Sequence, residues 1–169
     1  MKEVERIIRV DHAGERGAIS IYKSQKFFAK FLYKDLVPEL DEMLNHEQAH
    51  FETFDVWLKE RNIRSCYALI LWSIGGKVLG TCTALLGRNA IWACTESVET
   101  TVLEHLDWQL EYLKLNDNSA YVAVHSIKQD EEEHRDIAKA QRKPSILDKP
   151  INFIVRGSTK FAIWLSTKL

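Results

Sequence analysis

Proline and glycine are scarce in this chain, three and seven in 169 residues. A turn-rich β-sandwich or a long disordered tail would need more of both, so helix is the default expectation. Cysteine is also rare. Cys66, Cys82 and Cys94 are odd in number and show no Cys-x-x-Cys spacing. That argues against a disulfide scaffold or a zinc ribbon, and the three read as buried thiols in a reducing compartment. Charge of one sign is missing too, with 23 basic against 24 acidic residues. No basic excess is available to neutralise a phosphate backbone, so nucleic acid is not an expected partner. The first six residues lack the apolar core of a secretory signal and the acid-poor character of a transit peptide, so a cytoplasmic or already processed chain is expected. No segment alternates with period two, which excludes strands and predicts an all-α fold.

What is present is helical periodicity. The chain weighs 19.6 kDa, with 46% hydrophobic and 28% charged residues, which suits one domain over residues 1–169. A first helix is expected from about Glu5 to Tyr33. Asp35 reads as the N-cap of the second, with Pro38 tolerated in its opening turn. There Leu36, Leu40, Met43, Glu47, His50, Phe54 and Trp57 alternate steps of four and three and share one face. A similar stripe between about Asn89 and Leu115 holds Trp92, Thr95, Glu99, Val102, Leu106, Leu110 and Leu113. Another, between about Ala120 and Arg142, holds Val124, Ile127, Glu131, His134 and Ala138.

Residues 65–88 form an apolar segment in which Lys77 is the only charge between Cys66 and Gly87. It is long enough to span a bilayer. Gly75, Gly76 and Gly80 weaken it as a helix, and Lys77 at its middle is costly in hydrocarbon, so a hydrophobic hairpin or a membrane-surface element fits better. Lys143-Pro144-Ser145 and Asp148-Lys149-Pro150 break the chain before an amphipathic tail, residues 151–169, that closes the bundle or touches lipid.

Two features violate the rule that core-facing positions are apolar. Glu47 with His50, and Glu131 with His134, sit inside otherwise greasy stripes. A Glu at i and a His at i+3 project side by side, so both can ligate one metal. Uncompensated burial of such carboxylates costs several kcal/mol. One Glu-x-x-His pair is weak evidence, but the order of residues strengthens it. Glu15 precedes Glu47 by 32 residues, Glu99 precedes Glu131 by 32, and the second set is displaced from the first by 84. Thirty-two residues lead from the middle of one helix, around a short loop, to the middle of its antiparallel neighbour. Four carboxylates and two imidazoles would then meet in a two-fold dinuclear site inside a ferritin-like four-helix bundle. Such ligands suit iron, or less well manganese, rather than zinc. The ligand set leaves hydroxylation, desaturation and ferroxidase chemistry open. Glu52, Glu60, Glu104, Glu132 and Glu133 read as solvated, as do His12 and His46, and His125 reads as structural. Trp72, Trp92, Trp108 and Trp164 read as core residues or lipid-interface anchors.

Arg9-Val10-Asp11-His12-Ala13-Gly14-Glu15, followed by Gly17-Ala18 and Ile21-Tyr22, resembles the opening of the demethoxyubiquinone hydroxylase family of ubiquinone biosynthesis. So do Thr83-Ala84-Leu85-Leu86-Gly87, Ala93-Cys94-Thr95, Val98-Glu99, His105, Gln109 and the closing stretch from Asp130 to Asp136. The resemblance implies a membrane-associated di-iron monooxygenase that hydroxylates the ring of demethoxyubiquinol with O2. It implies Glu15, Glu47, His50, Glu99, Glu131 and His134 as iron ligands, and His105 as a neighbour that orients a ligand or passes a proton. It places the protein on the cytoplasmic face of a bacterial inner membrane, or on the matrix face in a mitochondrion, with a lipid-presenting or biosynthetic partner as a candidate. The electron donor stays open. Two departures stand out: Leu106 where the family commonly has tyrosine, and Arg16 where an aromatic is usual. The first removes a group on which an electron or proton relay could be built. The competing expectations are a ferroxidase or peroxide-reducing relative without an organic substrate, and a non-catalytic quinone-binding subunit.

Overall fold

Helix dominates because strong helix formers fill the segments between a few breakers. A computed structural model describes residues 2–169. It contains α1 (Lys2–Leu32), α2 (Val37–Glu60), α3 (Leu69–Leu86), α4 (Arg88–Asn116), α5 (Asn118–Gln141) and α6 (Asp148–Ser166), with no strand among the described residues. The all-α expectation holds. α1 packs on α2 and α4 on α5, each pair joined by a short connection, and α2 closes on α5. The stripes read from the sequence are the buried ones. All seven positions of the Leu36–Trp57 stripe and all five α5 positions named above are buried. One apolar cluster, including Ile7, Phe54, Leu106 and Ile127, fills one end of the four-helix unit. A second, including Tyr22, Leu40, Met43 and Trp92, fills the other. The polar residues of interest lie between them.

Several local expectations need correction. Asp35 is not an N-cap: Lys34–Leu36 form a 3-10 turn that leads into α2, and Asp35 pairs with Arg88 instead. Asp148-Lys149-Pro150 do not break the chain. They open α6, because a proline in a first helical turn forfeits no hydrogen bond. The turn before α5 is capped as its composition suggests, with Asp117 Oδ1 accepting from the Ala120 amide at 3.0 Å. The three cysteines are free, but Cys82 is exposed while Cys66 and Cys94 are buried.

Residues 65–88 contain one helix, α3 (Leu69–Leu86), rather than a hairpin. α3 lies against α1 so closely that a Cβ on Gly76 would sit 2.4 Å from the Gly17 carbonyl oxygen, and one on Gly80 2.4 Å from that of Ile21. Two of the three glycines that lower its helix propensity, Gly76 and Gly80, are therefore what let it dock. Arg16 ties the two helices, its Nε donating to Ser73 Oγ at 2.7 Å. The face of α3 away from α1 is bare: Ile70, Ile74 and Val78 are each more than half exposed. α6 packs on α4 through Ile151 and Val155 and likewise leaves Phe153, Phe161 and Trp164 exposed. Gly76→Ala should cost about 1–3 kcal/mol by overpacking and lower the melting midpoint by several degrees. Gly75→Ala, whose Cβ meets nothing within 4 Å, should leave it unchanged or slightly higher. Equal melts for the two variants would contradict the close approach.

Candidate metal centre

The six predicted residues come together. Glu15 enters from α1, Glu47 and His50 from α2, Glu99 from α4, and Glu131 and His134 from α5, and all six are buried. They form two overlapping groups, Glu15, Glu47, His50 and Glu131, and then Glu47, Glu99, Glu131 and His134. Within each group one ligand atom per residue lies inside 4.8 Å of all the others. Glu47 and Glu131 belong to both, the position of carboxylates shared between two ions.

The donor atoms fit a cation better than they fit each other. His50 Nδ1 lies 3.2 Å from Glu131 Oε1 and 3.7 Å from Glu15 Oε2. His134 Nδ1 lies 3.3 Å from Glu47 Oε1 and 3.6 Å from Glu131 Oε2. Nδ1 of both rings, Glu47 Oε1 and Glu131 Oε2 are buried and complete no hydrogen bond. Orphaned polar atoms at this depth are rare and call for a partner.

The electrostatics agree. Burial pushes the Glu47 and Glu99 carboxyls well above their usual range, and the charge of Glu131 adds to it. Burial also raises Glu15. Burial would lower the imidazoles, but the facing carboxylates outweigh it and carry His50 up to about 12 and His134 up to about 11. Glu131, although burial favours its neutral form, faces both rings and is held low. The cluster thus calls for positive charge at the point where a metal would supply it.

Neighbours to which the sequence assigns no role hold this cluster. Tyr22, which the sequence shows only as part of the opening motif, donates its hydroxyl to Glu99 Oε1 at 2.8 Å. A tyrosine therefore touches the centre from α1, although Leu106 of α4 is buried hydrocarbon. Asp130 Oδ2 accepts from His50 Nε2 at 2.9 Å. His46 is not solvated. It is half-buried, with Nδ1 3.1 Å from His134 Nε2. Its position, one before Glu47, matches that of Asp130 before Glu131, which is the signal the sequence carries. His12 is also buried rather than solvated, stacked on Phe51 at 4.1 Å and outside both ligand groups. His105 is not among the ligands either.

A cavity of about 620 Å³ opens onto the cluster. Glu15, Glu47, Glu99 and Glu131 contribute to its lining, and Val98, Val102 and Leu79 to its walls, while Val78 and Phe161 carry it to the exposed faces of α3 and α6. Asp11 and His105 are among the few other polar groups on its surface. Gln109 Nε2 donates to Asp11 Oδ1 at 2.8 Å, whereas Asp11 Oδ2 is buried without a partner. Burial raises the Asp11 carboxyl to about 7, against the hydrogen bond from Gln109. Trp108 Nε1 donates to His105 Nδ1 at 3.1 Å, so the neutral ring carries its proton on Nε2. Burial favours that neutral form by lowering the His105 pKa.

A helical bundle that closes four carboxylates and two imidazoles around one point, beside an apolar cavity, defines a protein able to hold metal next to a hydrophobic ligand. The ubiquinone biosynthesis protein COQ7 family matches residues 2–166, and the chain belongs to that family. It is 36% identical to the NADPH-dependent 3-demethoxyubiquinone 3-hydroxylase, mitochondrial, of Dictyostelium discoideum, over 98% of this chain and 77% of that one. It is 32% identical to the 3-demethoxyubiquinol 3-hydroxylase of Rhodospirillum rubrum, over 98% and 78%. The same figures, 32% over 98% and 78%, hold for the human NADPH-dependent 3-demethoxyubiquinone 3-hydroxylase, mitochondrial.

Proposed function

We propose that this protein is a membrane-surface monooxygenase that hydroxylates the ring of demethoxyubiquinol with O2. In this reading two iron ions are held by Glu15, Glu47, His50, Glu99, Glu131 and His134. The observation that carries the reading is the cavity, which runs from the exposed apolar faces of α3 and α6 to the buried carboxylates. A water-soluble substrate needs no such doorway, whereas an aromatic ring on a long isoprenoid tail does. The names of the three relatives support the substrate and the reaction. Residues 65–88 and 151–169 build the cavity mouth, so the whole of 1–169 serves one site.

Bound iron supplies the reduction of O2, one oxygen atom entering a ring C–H bond and the other leaving as water while two electrons and two protons are consumed. The chain's own residues set the stage for it. Asp11 Oδ2, a buried acceptor without a donor, accepts a hydrogen bond from a ring hydroxyl of the reduced substrate. Nε2–H of His105 is the donor on the same cavity surface, fixed as such by Trp108. Val98, Val102 and Leu106 keep water from the ring. Tyr22 and Asp130 aim Glu99 and His50. The protein sits on an inner membrane, on the cytoplasmic face in a bacterium or the matrix face in a mitochondrion. The mitochondrial, NADPH-dependent names of the Dictyostelium and human relatives support the second location and a nicotinamide electron source. A lipid-presenting or biosynthetic protein would dock beside the cavity mouth.

Expression in a strain that accumulates demethoxyubiquinone tests the reading. The wild-type chain should restore ubiquinone, and Val102→Trp, which narrows the cavity without replacing a ligand, should not. Unchanged accumulation of the precursor with a folded, metal-loaded wild-type protein would reject the substrate.

A further inference from the structure

The two-fold relation that maps Glu47 onto Glu131 and His50 onto His134 also maps His46 onto Asp130. Each of these two residues reaches across the α2–α5 interface to the imidazole on the other helix. Asp130 Oδ2 meets His50 Nε2 at 2.9 Å, and His46 Nδ1 meets His134 Nε2 at 3.1 Å. The His46 ring also stacks on that of His134, with centroids 5.2 Å apart and planes 14° from parallel. In both ligand rings Nδ1 faces the carboxylates, so Nε2 is the remote nitrogen.

A ligating imidazole donates a hydrogen bond from its remote nitrogen, and the acceptor sets how strongly the other nitrogen binds metal. A carboxylate acceptor draws on that proton and makes the ring more basic. A neutral imidazole offers one uncharged lone pair and draws less. His50 has the carboxylate, and His134 has the imidazole. A second asymmetry points the same way. Tyr22 donates to Glu99, the terminal carboxylate of the His134 group, and so withdraws charge from it. Glu15 has no tyrosine counterpart: the position 84 residues on from Tyr22 is Leu106, and the side chains that face Glu15 are the cluster's own His50 and Glu47.

We infer that His46 is a positioning residue that makes the two metal positions unequal, with the Glu15–His50 position binding more tightly than the Glu99–His134 position. The inference rests on reading the cluster as a dinuclear centre, and it adds an order of filling. The first equivalent of metal enters on the Asp130-supported side.

Anaerobic calorimetric titration of the metal-free chain with Fe2+ tests it, paired with Mössbauer spectra of 57Fe-loaded samples. The wild-type protein should bind two ions in two steps, the second about ten- to a hundredfold weaker, with two distinct quadrupole doublets. His46→Asp should draw the steps together and make the doublets converge. Asp130→Asn should weaken the first step. His46→Gln, a neutral acceptor of similar reach, should keep the wild-type separation and guards against a variant that fails to fold. Two equal steps in the wild type, or a separation unchanged in folded His46→Asp, would overturn the inference while leaving the dinuclear centre intact. Failure of the wild type to bind two ions would instead sink the centre itself.

Discussion

Glu47→Ala is expected to lose both metal ions, from about two per chain to none. Glu15→Ala and Glu99→Ala should each keep one. The contrast follows from membership: Glu47 lies in both ligand groups, Glu15 in the first and Glu99 in the second. A shared carboxylate neutralises and spaces both ions, so its loss leaves two cations facing each other with one charge fewer between them. Glu131, the other shared residue, still faces both imidazoles in the Glu47 variant, so the bundle folds. Hydroxylation should fall to background in all three variants, so activity alone cannot separate them. Iron content by elemental analysis can. A variant series in which every substitution lost the same amount of metal would argue against two overlapping sites.

Replacing Ile70, Ile74 and Val78 together by asparagine should release the protein from membranes. The three lie four residues apart along the outer face of α3 and are 76%, 55% and 58% exposed. Fully burying each side chain is worth roughly 1.5–3 kcal/mol, and the interfacial gain from three half-buried ones is about 2–4.5 kcal/mol, at least tenfold in partitioning. Flotation with phosphatidylcholine–cardiolipin vesicles should show the wild type with the lipid and the triple variant at the bottom of the gradient. The triple variant should retain its iron, because none of the three side chains is a ligand. Equal flotation of both proteins would mean that the bare face of α3 does not serve to hold lipid.

What the sequence makes legible depends on which face a residue occupies. Five of the six clustered residues can be read because each interrupts an apolar stripe, and a charge inside such a stripe has no structural excuse, while Glu15 follows from its 32-residue spacing to Glu47. Asp130 and His46 cannot be read that way. Each stands one position off its stripe and reaches its target only across a helix interface, which is a tertiary fact. Tyr22 can be read as core, since its ring is buried, but only the fold shows its hydroxyl on Glu99. The apolar segment suggests a hairpin because glycine lowers helix propensity in isolation. Against α1 the same absence of a side chain permits an approach that no other residue would allow. Asp148 to Pro150 mislead for a similar reason: proline stops a helix from within and starts one from its first turn.

Crystals grown with Fe2+ under nitrogen, with diffraction recorded on both sides of the iron absorption edge, test most directly whether buried side chains from four helices close around a pair of cations. The anomalous difference map should show two peaks, one between Glu15 and His50, the other between Glu99 and His134, with Glu47 and Glu131 reaching both. A map with no iron inside the bundle, or with one ion bound by surface residues, would contradict it.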